Sequence, residues 1–404
     1  MILVTESVFR SPEFRRFYAG QALSYVGDGL RTLAIPLLVF HLTGSAVSLG
    51  VTFALELLPF AAFSVIGGSL ADRLDRRRLM IGCDALRFII MVVITVALWR
   101  GVLTLTLVYA SVSLLAVAGA VFLGAQSSSI PYLLGKDRAK AAVAALVATE
   151  QGVNLVAPPL GGALFGLVGA LPALAVNALT YVTSQVAISS VASFGPEAPS
   201  GFPDAAEIGR DIAAGWRFLW RDPAMRVLTL SQMVINGIGI FGFVAMIPYL
   251  KREFGASDQL VGIAFGCFAV GSVAGSLIAG RTHWPFGRAL LVAYVLDGLL
   301  WLPTIWTHHL AIAIAAVSCC SVCGAYQVTA IVSWRMRVIP EEMVGRVFGV
   351  VRLFVVIGMF PGSLLGGTLA DRLGTRPVMA ISGFGFLLLT VALSAATSLR
   401  EDRR

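Results

Sequence analysis

Eight ionisable side chains interrupt otherwise apolar runs of this chain: Asp28, Arg31, Glu56, Asp84, Arg87, Glu150, Asp297 and Arg352. At the centre of a lipid-embedded helix a charged side chain costs ~2.5 to 3.5 kcal/mol, so such groups pair with one another or line a path for ions and substrate. Four of the five acids lie in the first half, which is where a proton carrier is expected. Asp28 and Arg31 are three residues apart and share a helix face, where they either neutralise each other or take part in coupling. Glu56 has no basic residue between Arg31 and Arg73 to pair with along the chain. It is the first candidate for a group that takes up and releases a proton, with Asp28 beside it; Arg31 is a coupling candidate through its pairing with Asp28. Asp84 and Arg87 lie close to a cluster of arginines and read as a structural charge network; Glu150, Asp297 and Arg352 are its secondary members.

Other chemistry finds no purchase. The chain lacks GxxxxGK[ST], HExxH and GxSxG, which removes P-loop ATP hydrolysis, zinc peptidase and α/β-hydrolase chemistry. One GxGxxG occurs at Gly237, Gly239 and Gly242, but inside an apolar run with no preceding strand, so it reads as a packing seam. The GxxxG pairs at Gly271 and Gly275, and at Gly358, Gly362 and Gly366, read the same way. The five cysteines all sit in apolar runs; Cys320 and Cys323 form a CxxC without a second pair or a nearby histidine. No metal and no cofactor are expected.

The elements that must position the eight groups follow from composition. With 404 residues, 57% hydrophobic and 13% charged, the chain is an integral membrane protein whose partner is the lipid bilayer. Windows of span length place twelve helices at about 14–40, 45–71, 79–99, 103–133, 141–166, 170–194, 224–250, 258–280, 288–306, 309–334, 344–370 and 376–398. The expected fold is therefore all-α. The net charge of +8 does not imply nucleic acid, because sidedness explains it: 22 of the lysines and arginines fall in one alternating set of segments and 5 in the other. That asymmetry puts both termini in the cytoplasm of a multi-pass protein of the cell membrane. Glu6, Arg10, Glu13, Arg15 and Arg16 precede the first span, a pattern unlike a cleavable signal.

Between the sixth and seventh spans runs a breaker-rich stretch, GPEAPSGFP, followed by DAAEIGRDIAAGWRFLWRDP. Ile208, Ile212, Trp216 and Leu219 recur at helical spacing, which predicts an amphipathic helix at the cytoplasmic surface. A regulatory docking site is the sharper alternative. The expected domains are a six-helix bundle over 1–194, a linker over 195–223 and a second bundle over 224–404. Residues 161–172 (GGALFGLVGALP) align without gaps on 366–377 (GGTLADRLGTRP), and GSL at 68–70 meets GSL at 275–277, so the halves are pseudo-symmetric copies. GGSLADRL at 67 also resembles GGTLADRL at 366, relating helices within nested triplets. The second copy, with Asp371 and Arg372, falls on the outer face, where it is either a counterpart of an inner latch or inherited surface charge.

The first copy of that motif carries a family resemblance. Gly68, Leu70, Ala71, Asp72, Arg73, Arg76 and Arg77 reproduce the pattern GxLADRxGRRxxL, with Asp75 in place of a glycine and Met80 in place of the closing leucine. This resembles the loop between spans 2 and 3 of the major facilitator superfamily, in a form similar to the branch of macrolide efflux proteins and enterobactin exporters. The resemblance implies two six-helix bundles, a monomer, a small-molecule substrate and a gating role for Gly68, Asp72, Arg73, Arg76 and Arg77. In that role the Asp72 carboxylate meets the positive end of span 11. Pro158, Gly161 and Gly162 resemble the span-5 motif GxxxGPxxGG of the family's exporters, with Val153 and Ala157 replacing two glycines. The expectation is a proton-coupled efflux transporter of amphipathic compounds, not an enzyme. A uniporter or nutrient importer is the alternative, and a membrane-embedded enzyme or sensor the remote one.

Overall fold

The computed structural model describes residues 8–192, 194, 205–340 and 343–394. Every regular element among them is a helix, as an apolar solvent demands of a chain that must satisfy its own backbone. In order these are α1 Pro12–Thr43, α2 Ala46–Arg73, α3 Arg76–Trp99, α4 Leu105–Leu134, α5 Lys136–Val168, α6 Ala170–Ser189, α7 Ala205–Arg221, α8 Pro223–Val244, α9 Met246–Phe254, α10 Asp258–Arg281, α11 Phe286–Trp301, α12 Pro303–Trp306, α13 Leu310–Val338, α14 Val344–Leu373 and α15 Thr375–Ser394. Eleven helical segments among the described residues are long and apolar enough to cross a membrane. The remaining expected span is α5, whose 33 residues begin with a charged turn and are apolar by the same measure over Ala141–Val153.

Two expected spans are broken. Span 7 divides into α8 and α9 and span 9 into α11 and α12; Pro248 and Pro303 each remove the backbone donor that would have bridged the break. Elsewhere the turns are abrupt. Gly135 and Gly169, both at φ +82°, are single-residue connectors from α4 to α5 and from α5 to α6, a backbone conformation that favours glycine.

The chain forms two compact units, one from residues within Met1–Leu42 and Leu55–Asp204, the other from Thr43–Ala54 and Ala205–Arg404. In unit 1, α3 packs against α4 and α6. Leu86, Ile89, Val93 and Val96 of α3 are exposed, while Asp84, Arg87, Met91 and Ile94 are buried. Apolar side chains outside and charges inside is the pattern of a helix solvated by lipid. In unit 2, α13 packs on α10 and α11, and α14 on α8. Glycines set these distances: a Cβ at Gly358 would lie 2.0 Å from the Met233 carbonyl, and one at Gly275 would lie 2.0 Å from that of Val322. Gly237 likewise faces Gly358, so the GxGxxG stretch is a helix seam.

The linker helix α7 is more than a surface helix. Leu219 is fully buried, and Trp216 and Trp220 stack 4.5 Å apart and against Phe354 of α14, within unit 2. Trp216, on the expected apolar stripe, keeps 45% of its surface. Ile208 lies outside the described side chains.

Candidate functional site

In unit 1 the structure gathers two of the singled-out carboxylates around the guanidinium of Arg31. Arg31 Nε stands 3.7 Å from Asp28 Oδ1, and Arg31 Nη1 stands 3.6 Å from Glu56 Oε1. Helical spacing explains the first contact. The second corrects the picture of Glu56 as a carboxylate without a partner: the partner comes from α1, across a helix interface that sequence distance does not reveal. The Arg31 side chain is 14% exposed, against 35% for Asp28 and 42% for Glu56, so the cation is enclosed while both carboxylates keep an open side.

Asp28 is held from α6 as well. The Tyr181 hydroxyl donates to Asp28 Oδ1 at 2.5 Å, and Asn177 Nδ2 donates to the same oxygen at 3.3 Å. Gly27 makes this possible, since a Cβ there would lie 2.1 Å from Thr180 Oγ1 and 2.8 Å from Asn177 Nδ2. Tyr181 and Asn177 are members of the candidate site that the reading of charges missed. The signal available for them was their spacing: four residues apart, they share one face of a helix with Ser184 nearby on it.

Behind Tyr181 lies the second charge pair. Arg87 Nη1 donates to Asp84 Oδ1 at 3.3 Å and Nη2 donates to the Ala118 carbonyl at 3.3 Å. The guanidinium also lies 4.5 Å above the Phe122 ring and 5.5 Å from that of Tyr181. Asp84 is fully buried. Gln21 continues the polar string, donating to Ser184 at 2.9 Å and accepting from Gln126 at 3.0 Å. Glu150 is half-buried on α5.

Several side chains of the loop motif are tied to neighbouring groups. Asp75 caps α3 by accepting from the Arg78 amide at 2.9 Å, which explains an acid where the family pattern has glycine. Arg76 is buried 4.6 Å from the Tyr132 ring, and Arg77 donates to the Ser189 carbonyl at the end of α6. Arg73 is half-buried. The surroundings of Gly68 and the side chains of Asp72 and Pro158 lie outside what the structure describes.

The span-5 motif meets α1. A Cβ at Gly161 would stand 3.0 Å from the Leu30 carbonyl, and Gly162 is buried. Ala157, standing where the family pattern has glycine, faces Gly29: a Cβ on Gly29 would lie 2.4 Å from that of Ala157. The missing glycine is supplied by the opposite helix.

In unit 2, Asp297 is buried and accepts from Gln327 at 3.0 Å, and Arg352 is exposed on α14. Arg335, which sequence position assigns to a loop, is fully buried; it donates to Gln232 at 2.5 Å and to Thr229 at 3.0 Å. Trp301 is enclosed against Gly242 and Gly383. All five cysteines are free, and no group of three or more histidine, cysteine or acidic side chains among the described residues is arranged to hold a metal.

The chain matches the transmembrane secretion effector family over residues 5–403. It is 25% identical to multidrug efflux pump Tap of Mycolicibacterium fortuitum, with 93% of each chain covered. It is 22% identical to macrolide efflux protein A of Streptococcus pyogenes, covering 96% of this chain and 97% of that one. Identity to the enterobactin exporter EntS of Escherichia coli is 24%, over 95% and 91%. Among solved structures, a bacterial homologue of the iron transporter ferroportin in an inward-facing state superposes with a TM-score of 0.76 at 14% identity, covering 96% and 99%. A fold shared over the whole length and a family match from end to end carry one conclusion: the chain belongs to the transmembrane secretion effector family, and is a multi-pass secondary transporter of the major facilitator superfamily related to efflux pumps and exporters.

Proposed function

We propose that this transporter exports amphipathic small molecules against the entry of protons, by alternating access between six-helix bundles over 1–194 and 224–404 joined by the linker 195–223. Both termini face the cytoplasm, and the monomer is the working unit. Asp28 and Glu56 carry the coupling proton, Arg31 organises them, and Tyr181 and Asn177 hold Asp28. Asp72, Arg73, Arg76 and Arg77, after Gly68, form the inner gate, and Pro158, Gly161 and Gly162 bring span 5 against span 1. Asp84, Arg87, Glu150, Asp297 and Arg352 serve the charge network around them.

The observation that supports this reading is two carboxylates facing one guanidinium. The trio carries one negative charge in excess, and one proton neutralises it. A cluster that is neutral when loaded and charged when empty crosses between environments differently in its two states. Chains similar over their whole length are a multidrug efflux pump, a macrolide efflux protein and an enterobactin exporter, which supports efflux and this substrate class.

Everted membrane vesicles test it, with a macrolide or a lipophilic cation as probe. Energised vesicles accumulate the probe, and a proton uncoupler abolishes accumulation. Accumulation that ignores the uncoupler contradicts proton coupling, and equilibration of the probe without accumulation assigns the chain to uniport instead.

A further inference from the structure

The second copy of the LADR motif closes on the start of α2. Asp371, near the end of α14, accepts four hydrogen bonds: from the Ser45 hydroxyl at 2.6 Å, from the Ala46 and Val47 amides at 2.9 Å each, and from Arg252 Nη2 at 2.7 Å. Ser45 Oγ in turn accepts from the Ser48 amide. The first amides of a helix have no partner inside it and carry the positive end of its dipole, so an anion placed there satisfies them. Here that anion comes from α14. Arg252 bonds Asp371 and the Gly44 carbonyl together, so the same guanidinium grips both sides of the joint.

The backbones beside it are in close contact. A Cβ at Gly367 would lie 2.4 Å from the Ala46 carbonyl, and one at Gly50 would lie 2.3 Å from that of Ser363. Three successive residues of α9 pin this end of unit 2: Lys251 pairs with Asp258 at 2.7 Å, Arg252 with Asp371, and Glu253 with Arg376 at 2.8 Å. The twelve residues Thr43–Ala54 consequently belong to unit 2, although α2 continues into unit 1 from Leu55.

We infer that Asp371, with Arg252 as its second jaw, is a latch that clamps the start of α2 to unit 2, and that releasing it is a step of the transport cycle. A helix shared between two units resists any motion that separates its clamped end from α14. The joint is built for reversal: its bonds are directional and polar, its carboxylate is 22% exposed, and water can replace every partner. The neighbouring Arg372 is exposed and is not part of the joint.

Spin labels at the exposed positions Leu42 and Leu373, on either side of the joint, read its state by electron–electron distance measurement in nanodiscs. Asp371→Asn keeps the shape and removes the charge, and is expected to raise the ratio of separated to joined populations about tenfold, the size of one lost charge-assisted hydrogen bond. Ser45→Ala, which leaves both charges in place, shifts the ratio in the same direction by less, and carries the test if the first variant misfolds. Arg372→Gln leaves it unchanged. Distance distributions identical in the wild type, Asp371→Asn and Ser45→Ala overturn the inference. The measurement uses neither substrate nor proton gradient, so its failure is distinct from failure of the proposed export.

Discussion

The two ion pairs of unit 1 use the same spacing, an acid three residues before an arginine, and meet different surroundings. Asp28 and Arg31 open toward Glu56, whereas Asp84 and Arg87 are enclosed, with exposures of 0% and 8% for their side chains. An enclosed pair contributes little net stability, but removal of one partner leaves a buried charge, at a cost of about 3–5 kcal/mol. Arg87→Met is therefore expected to lower the unfolding temperature sharply in detergent, and Asp84→Leu combined with it to recover most of the loss. A single variant as stable as the double would show that the pair is not held as described. Tyr181 joins the two pairs, its hydroxyl on Asp28 and its ring near Arg87. Tyr181→Phe removes only the hydroxyl, so it should alter the pH profile of transport at a stability cost of about 1.5–3 kcal/mol, that of one hydrogen bond to a charged group. An unchanged profile would take Tyr181 out of the site.

At the scale of elements, glycine decides which helices touch. Cβ atoms added at Gly358 or Gly275 would meet backbone carbonyls that cannot yield without moving a helix, whereas Gly239 faces open space. Gly358→Val should thus impair folding or abolish transport, and Gly239→Ala should be tolerated and even favour the helix by roughly 1 kcal/mol. Thermal unfolding of the two purified variants checks this; equal stability would dissolve the seam between α8 and α14. Helix positions were legible in the sequence because lipid leaves one solution for an apolar run of this length. The breaks at Ala245 and Leu302 were not, since they lie inside continuous apolar stretches. The linker helix was legible as amphipathic, but the stripe alone did not say that its apolar face meets Phe354.

For the molecule as a whole, the repeat and the loop motif told the fold, and the site was legible only in part. Spacing along one helix gave Asp28 with Arg31 and Asp84 with Arg87. Contacts between helices gave the rest, including Glu56 with Arg31, Tyr181 with Asp28 and Asp371 with α2, and no local pattern encodes which helix faces which. Arg335 shows the same limit: a basic residue at the end of a span counts toward sidedness, yet this one is fully buried on Gln232 and Thr229. The duplicated motif has diverged as well. At 75 an aspartate caps the next helix, whereas the corresponding position of the second copy is Gly374, at φ +92°.

The claim on which the functional reading turns is that the carboxylates around Arg31 carry the coupling proton. Reconstituted Glu56→Gln and Asp28→Asn proteins, assayed for downhill probe exchange and for uphill transport driven by an imposed proton gradient, measure it directly. The account predicts that exchange persists while the uphill component disappears. Uphill transport by Glu56→Gln with the wild-type dependence on the proton gradient would contradict it.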